Sequence, residues 1–124
     1  MISKQLFSIN GTKKSNGPVI EGKSSFILYR HYALFSGEFY LTNFNGSGAG
    51  NTEMWEYSDS TTSYSAKVAD FSYLSSIGTN FGTSMTARFW KQGNNYGVSA
   101  YYTDISFPSN SRIDMCQIVP ITWL

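Results

Sequence analysis

Charge, cysteine, histidine and long apolar runs are all scarce in this 124-residue chain, and each scarcity removes a class of function. Charged residues make up 14% of it and the net charge is +1, so no strong field is expected to gather nucleic acid or acidic partners. The one cysteine, Cys116, excludes a disulfide within the chain, and with the one histidine, His31, it cannot close a zinc site. No apolar run approaches a membrane span, and Met1–Ile9 lacks the apolar core of a signal peptide, so neither membrane insertion nor a secretory leader is expected. The motifs G-x-x-x-x-G-K-[ST], G-x-G-x-x-G and G-x-S-x-G are also missing, which removes the usual signals for phosphate cradles and nucleophile elbows. The run from Asn45 to Asn51 is therefore read as a flexible loop, and no cofactor or metal is expected.

Aromatic residues are plentiful, at 17%, and Ser, Thr, Asn and Gly fill much of the remainder. Aromatics and Thr suit a pleated surface, while Asn, Gly and Ser supply turns, so the chain reads as all-β. Met85–Ile105 carries the clearest pattern: two alternating runs flank Gly93-Asn94, a pair that tolerates positive φ. A two-residue turn there sets Phe89 opposite Val98, Ala87 opposite Ala100 and Met85 opposite Tyr102 on an apolar face. The other face pairs Thr86 with Tyr101, Arg88 with Ser99, and Trp90 with Gly97.

The remaining segments read as further strands. Residues 1–25 hold Lys4, Lys13, Lys14 and Lys23 against Glu21, a local charge of +3, while residues 26–124 sum to −2. Glycines interrupt this basic segment, which reads as an N-terminal arm with one or two short strands, preceding a single domain over 26–124. Phe26–Phe44 reads as two strands joined by a tight turn at Ser36-Gly37, pairing Leu34 with Phe39. Thr52–Tyr57 reads as a strand, and Ser65–Gly78 fits a short helix by one period and a strand by another, with the β-rich setting favouring strand. Arg112–Leu124 reads as a closing strand, apolar on both faces, with its end tucked into the core or an interface. The fold expected is an antiparallel, jelly-roll-like β-sandwich of about eight to ten strands with at most one short helix.

Among side chains able to act on a ligand, the aromatics stand out. Arg88, Trp90 and Tyr101 share the second hairpin face with Thr86 and Ser99, and Trp55 joins them as a further candidate, a set suited to stacking on sugar rings or a partner protein. Carboxylate chemistry is less favoured. Glu53 and Glu56 stand three apart on one strand, which directs them to opposite faces, and only Asp104 with Asp114 is left as a pair. His31 is read as a packed strand residue, and Cys116 as a small buried hydrophobe.

Low charge, a single cysteine, abundant Tyr, Asn, Gly, Ser and Thr, a basic N-terminus and an apolar C-terminal strand together resemble the small all-β structural proteins of bacteriophages, such as fibre tips, tail-needle knobs and head-decoration proteins. That resemblance implies a non-enzymatic virion component that is a homo-oligomer, often a trimer. Its N-terminal arm would contact other virion proteins, and its exposed loops would meet a host-surface glycan or protein. The reading kept beside it is a carbohydrate-binding module or lectin that uses the aromatics named above.

Overall fold

The computed structural model describes residues 4–59, 64–82 and 84–124. Eight strands of four residues or more carry the fold: β1 (Phe7–Asn10), β3 (Val19–Leu28), β4 (Tyr32–Leu41), β6 (Ala49–Ser58), β7 (Phe71–Thr79), β8 (Met85–Gln92), β9 (Asn95–Thr103) and β11 (Ser111–Pro120). The two-residue strands β2 (Thr12–Lys13), β5 (Phe44–Asn45) and β10 (Ser106–Phe107) complete it. Among the described residues the helical content is one 3-10 turn, Ser65–Lys67.

The strands form one antiparallel sheet in the order β1-β3-β4-β11-β7-β8-β9-β6-β2, and β5 pairs with β10 apart from it. This sheet folds into two layers, β1-β3-β4-β11 over β7-β8-β9-β6-β2. The layers meet at two corners. At one, β11 pairs with β7 only through Ile113–Thr79 and Asp114–Gly78. At the other, the chain leaves β1, where Phe7 pairs with Leu28, and enters β2, where Thr12 pairs with Glu56. A strand that bends from one sheet into the other is a common corner in β-sandwiches. Counting β1 and β2 as one strand, β6 lies beside the meander β1-β3-β4, and β11 lies beside the meander β7-β8-β9. Each is a Greek key, and two Greek keys in eight strands are the content of a jelly roll.

Alternation decides what faces inward. On β4, Ala33, Phe35, Phe39 and Leu41 are buried. Aromatic contacts then join the layers: Phe26 to Tyr96 at 4.1 Å between ring centroids, Phe35 to Phe89 at 5.0 Å, and Phe39 to Trp55 at 4.9 Å. The buried hydroxyls are partnered, as burial requires. Ser24 Oγ meets the Tyr57 hydroxyl, and Ser65 Oγ reaches Asp59 Oδ2 at 2.9 Å and the Tyr96 hydroxyl at 2.8 Å. Burial pushes the Tyr96 phenol up to about 12.

Several expectations change. The division into an arm over 1–25 and a domain over 26–124 falls inside β3, and Phe7 and Val19 belong to the core. Residues 7–13 are the strand that closes one edge of the sandwich, so they are not a detached arm; residues 1–3 lie outside the described residues. Ser36-Gly37 is not a turn, because β4 runs straight through it and pairs with β3 as far as Leu28–Ala33. The reversal comes at residues 29–32, where Tyr29 N–H donates to Tyr32 O at 2.9 Å. His31 is exposed in that reversal, and its backbone oxygen accepts from Ile121 N–H. Ser65–Gly78 divides into the 3-10 turn and β7. The glycine-rich run is shorter as a loop than expected, because β6 begins at Ala49. Cys116 lies on the outer face and is exposed; at the C-terminal end Trp123 packs against the core and bridges to Val68, as expected, while Leu124 is exposed.

Candidate functional site

The β8–β9 hairpin folds in the register its alternation predicts. Ala87 faces Ala100, Arg88 faces Ser99, Phe89 faces Val98 and Trp90 faces Gly97. Gly93 takes φ 61°, the left-handed conformation that the two-residue turn needs. Trp90 therefore lies on the outer face, with its indole over Gly97, where a Cβ would stand only 2.2 Å from Cζ2 of the ring. Its Nε1–H donates to Ser99 Oγ at 3.2 Å, and Arg88 Nε donates to Ser72 Oγ at 2.8 Å. Both side chains line a shallow groove of about 460 Å³ together with Glu53, Asp70, Ser72 and Gln92.

The four nominated residues do not form one site. Trp90 is only 9% exposed, so little of its indole is open for stacking. Trp55 is 4% exposed and belongs to the core, stacked on Phe39. Tyr101 is exposed, but it lines a separate hollow with Thr86, Thr103 and Asp104. Replacing Trp90 with Ala is expected to lower stability by about 2 kcal/mol, the scale for a large side chain removed from a covered position. Urea denaturation checks this; an unchanged midpoint would mean that the indole contributes nothing to the fold.

The carboxylates are placed differently from the sequence reading. A β-bulge between Glu53 and Trp55 shifts the register, so that Met54 and Trp55 are both buried while Glu53 and Glu56 share the outer face. Lys14 Nζ sits 2.8 Å from Glu56 Oε2 and 3.5 Å from Glu53 Oε2. The hydrogen bond that Lys14 donates to Glu56 raises the Lys14 pKa most. This is an exposed ion-paired cluster along one strand, unlike the two opposed carboxylates across a cleft that glycoside hydrolysis uses. Asp104 and Asp114 each have other partners: Asp104 Oδ1 accepts from Gly48 N–H at 2.7 Å, and Asp114 pairs with Arg112 at 3.3 Å. Among the described residues no group of three or more His, Cys, Asp or Glu is placed to hold a metal ion.

Lys91 is a cationic side chain drawn into the end of the core, and Asp59 is buried there as well. The Lys91 side chain is 2% exposed, and its ammonium is 3.0 Å from Asp70 Oδ1, which also accepts from Gly93 N–H at 3.2 Å. The hydrogen bond from Lys91, then that from Gly93, holds the Asp70 carboxyl below its usual pKa. A lowered folded-state pKa contributes stability that is complete above the unfolded value, about 4, and is lost as pH falls through the folded value. Asp70→Asn is therefore expected to be less stable than the parent near neutral pH, with the gap closing below about pH 4. Urea midpoints measured across that range test it; a gap that stays constant would remove the Lys91–Asp70 pair from the account.

The groove that sequence reasoning missed lies on the other layer. Glu21, Gly22, Lys23, Gly37, Glu38 and Tyr40 line an outward hollow of about 590 Å³ across β3 and β4. Tyr40 is 38% exposed, and its hydroxyl donates to Glu38 Oε1. That bond, foremost, raises the phenol pKa. Its outward side chains pair across the two strands, Glu21 with Tyr40 and Lys23 with Glu38, a pairing that the turn expected at Ser36-Gly37 concealed. Among the described residues no helix is long and apolar enough to cross a membrane. Comparison of the chain with protein-family models, with curated proteins and with solved structures returns no match.

Proposed function

We propose that the protein is a non-enzymatic virion component of the bacteriophage type, a homo-oligomeric β-sandwich that decorates a particle or forms a receptor-binding tip. The observation that carries this reading is a row of apolar side chains on the outer face of the β1-β3-β4-β11 layer. Ile27 pairs with Leu34, and Leu34 with Ile118, so the three lie side by side across three strands. Ile118 is 55% exposed. Tyr32 and Pro120 form the next row, and Tyr29 stacks on Tyr32 at 4.7 Å. A two-layer sandwich buries one face of each sheet, and among the described residues the one 3-10 turn is too short to cover the other. A second copy is the simplest cover, since most soluble oligomers are symmetric assemblies of one chain.

The energetics favour such a cover. Each large side chain buried at the contact contributes roughly 1.5–3 kcal/mol, so several per subunit outweigh the cost of association. The composition shared with phage fibre tips and decoration proteins points the same way and implies three copies. Attachment to other virion proteins through residues 1–25 is narrowed, because residues 7–13 close the sandwich itself.

Ile118→Lys tests the face. A lysine head there would be trapped in an apolar contact, and the dissociation constant measured by sedimentation is expected to rise tenfold or more. Unchanged association in this variant would place the contact elsewhere and remove the observation on which the proposal stands.

A further inference from the structure

Strands β3 and β4 crease together where Gly22 pairs with Phe39 and Gly37 with Ser24. A Cβ on Gly37 would stand 2.2 Å from the Lys23 carbonyl oxygen, and one on Gly22 would stand 2.5 Å from that of Glu38. Backbone approach this close requires glycine at both positions. Both glycines are on the inward parity of their strands, and the outward side chains of the same stretch flank a hollow in which Tyr40 forms a wall and Glu21 and Glu38 supply carboxylates. We propose that this crease is a binding site for a neutral carbohydrate chain, with the Tyr40 ring against the apolar face of a sugar and the Glu38 and Glu21 carboxylates accepting from its hydroxyls.

Three features fit that ligand. First, the ring is exposed and held: Tyr40 is bonded to Glu38, so stacking on it requires little further ordering. Second, a pyranose presents a face of C–H groups and a rim of hydroxyl donors, which match an aromatic plane beside charged acceptors. Third, the charges nearly cancel. Glu21 and Glu38 stand with Lys23 in the groove, and Arg112 lies across from Tyr40 while paired to Asp114. A phosphate would meet the carboxylates and a polycation would meet Lys23 and Arg112, whereas a neutral polyol meets neither obstacle.

The inference deepens the host-contact side of the proposed function and does not require self-association. Tyr40 and Leu34 are six residues apart on β4, about 20 Å at the rise of an extended strand, so the groove and the apolar row are separate places on one face.

Saturation-transfer NMR on the full chain tests it, with uncharged oligosaccharides of glucose, galactose, mannose and N-acetylglucosamine as probes. At least one is expected to bind, with an affinity indifferent to added salt. Tyr40→Ala should weaken that binding tenfold or more, while Tyr40→Phe, which keeps the ring and loses the bond to Glu38, should weaken it less. Tyr40 is on the surface, so both variants should keep the parental melting temperature. No transfer to any of the four probes would overturn the proposal, and so would full binding by Tyr40→Ala. Binding of these uncharged probes that falls steeply with salt would show a contact other than ring stacking and hydroxyl bonding, and would overturn it equally.

Discussion

Replacing Phe26 with alanine is expected to cost about 3–5 kcal/mol, the range for removing a buried aromatic ring from a packed core. Phe26 has no solvent exposure, and its ring touches both layers: Phe35 at 5.1 Å within its own, Tyr96 at 4.1 Å and Tyr57 at 6.2 Å across from it. The partners are rings themselves and cannot slide into the space, so the cavity persists. At roughly 4 °C per kcal/mol for a domain of this size, the melting temperature should fall by roughly 12–20 °C. Since whole-domain stability is about 5–15 kcal/mol, the variant would be close to the limit of folding. A fall of only a few degrees would mean that the two layers are not joined through this cluster.

The second large effect is expected at Gly11, where the chain turns from β1 into β2. A Cβ on Gly11 would lie 2.2 Å from Trp55 Nε1, 2.3 Å from Cδ1 of the same indole and 2.6 Å from Cε1 of Tyr57. Both aromatics are buried, and Trp55 is stacked on Phe39, so neither side chain has room to withdraw. Gly11→Val should therefore destabilise the protein by about 3 kcal/mol, at the upper end for overpacking. A double-mutant cycle identifies the cause. In a Trp55→Ala background the same valine should cost far less, because the atom it strikes is gone. Equal costs in the two backgrounds would locate the damage in the backbone of the corner instead.

The β8–β9 hairpin was legible because three independent signals agreed: alternation on both runs, a turn pair of the right length, and a tryptophan set opposite a glycine. Where signals did not overlap, the reading failed for identifiable reasons. Ser36-Gly37 has the composition of a turn, yet Gly37 serves a close approach between strands, and only the partner strand distinguishes the two. Glu53 and Glu56 share a face because of a bulge, and a bulge is a mismatch between two strands that neither shows alone. Trp90 was read correctly as lying on the outer face, but period alone does not reveal how far neighbouring side chains cover an outer residue. Trp55 was misplaced by the same bulge, which turns it inward. The Tyr40 groove was not legible because a turn at Ser36-Gly37 would separate Tyr40 and Glu38 from Glu21 and Lys23, which they face across the strands.

The central claim is that this chain works as a subunit of a symmetric assembly, and the solution mass of the intact protein tests it most directly. Light scattering coupled to size exclusion at micromolar concentration should report an integer multiple of 13.9 kDa, with three the count that the resemblance to phage proteins implies. A soluble, well-folded species of 13.9 kDa that persists as the concentration is raised would contradict the claim.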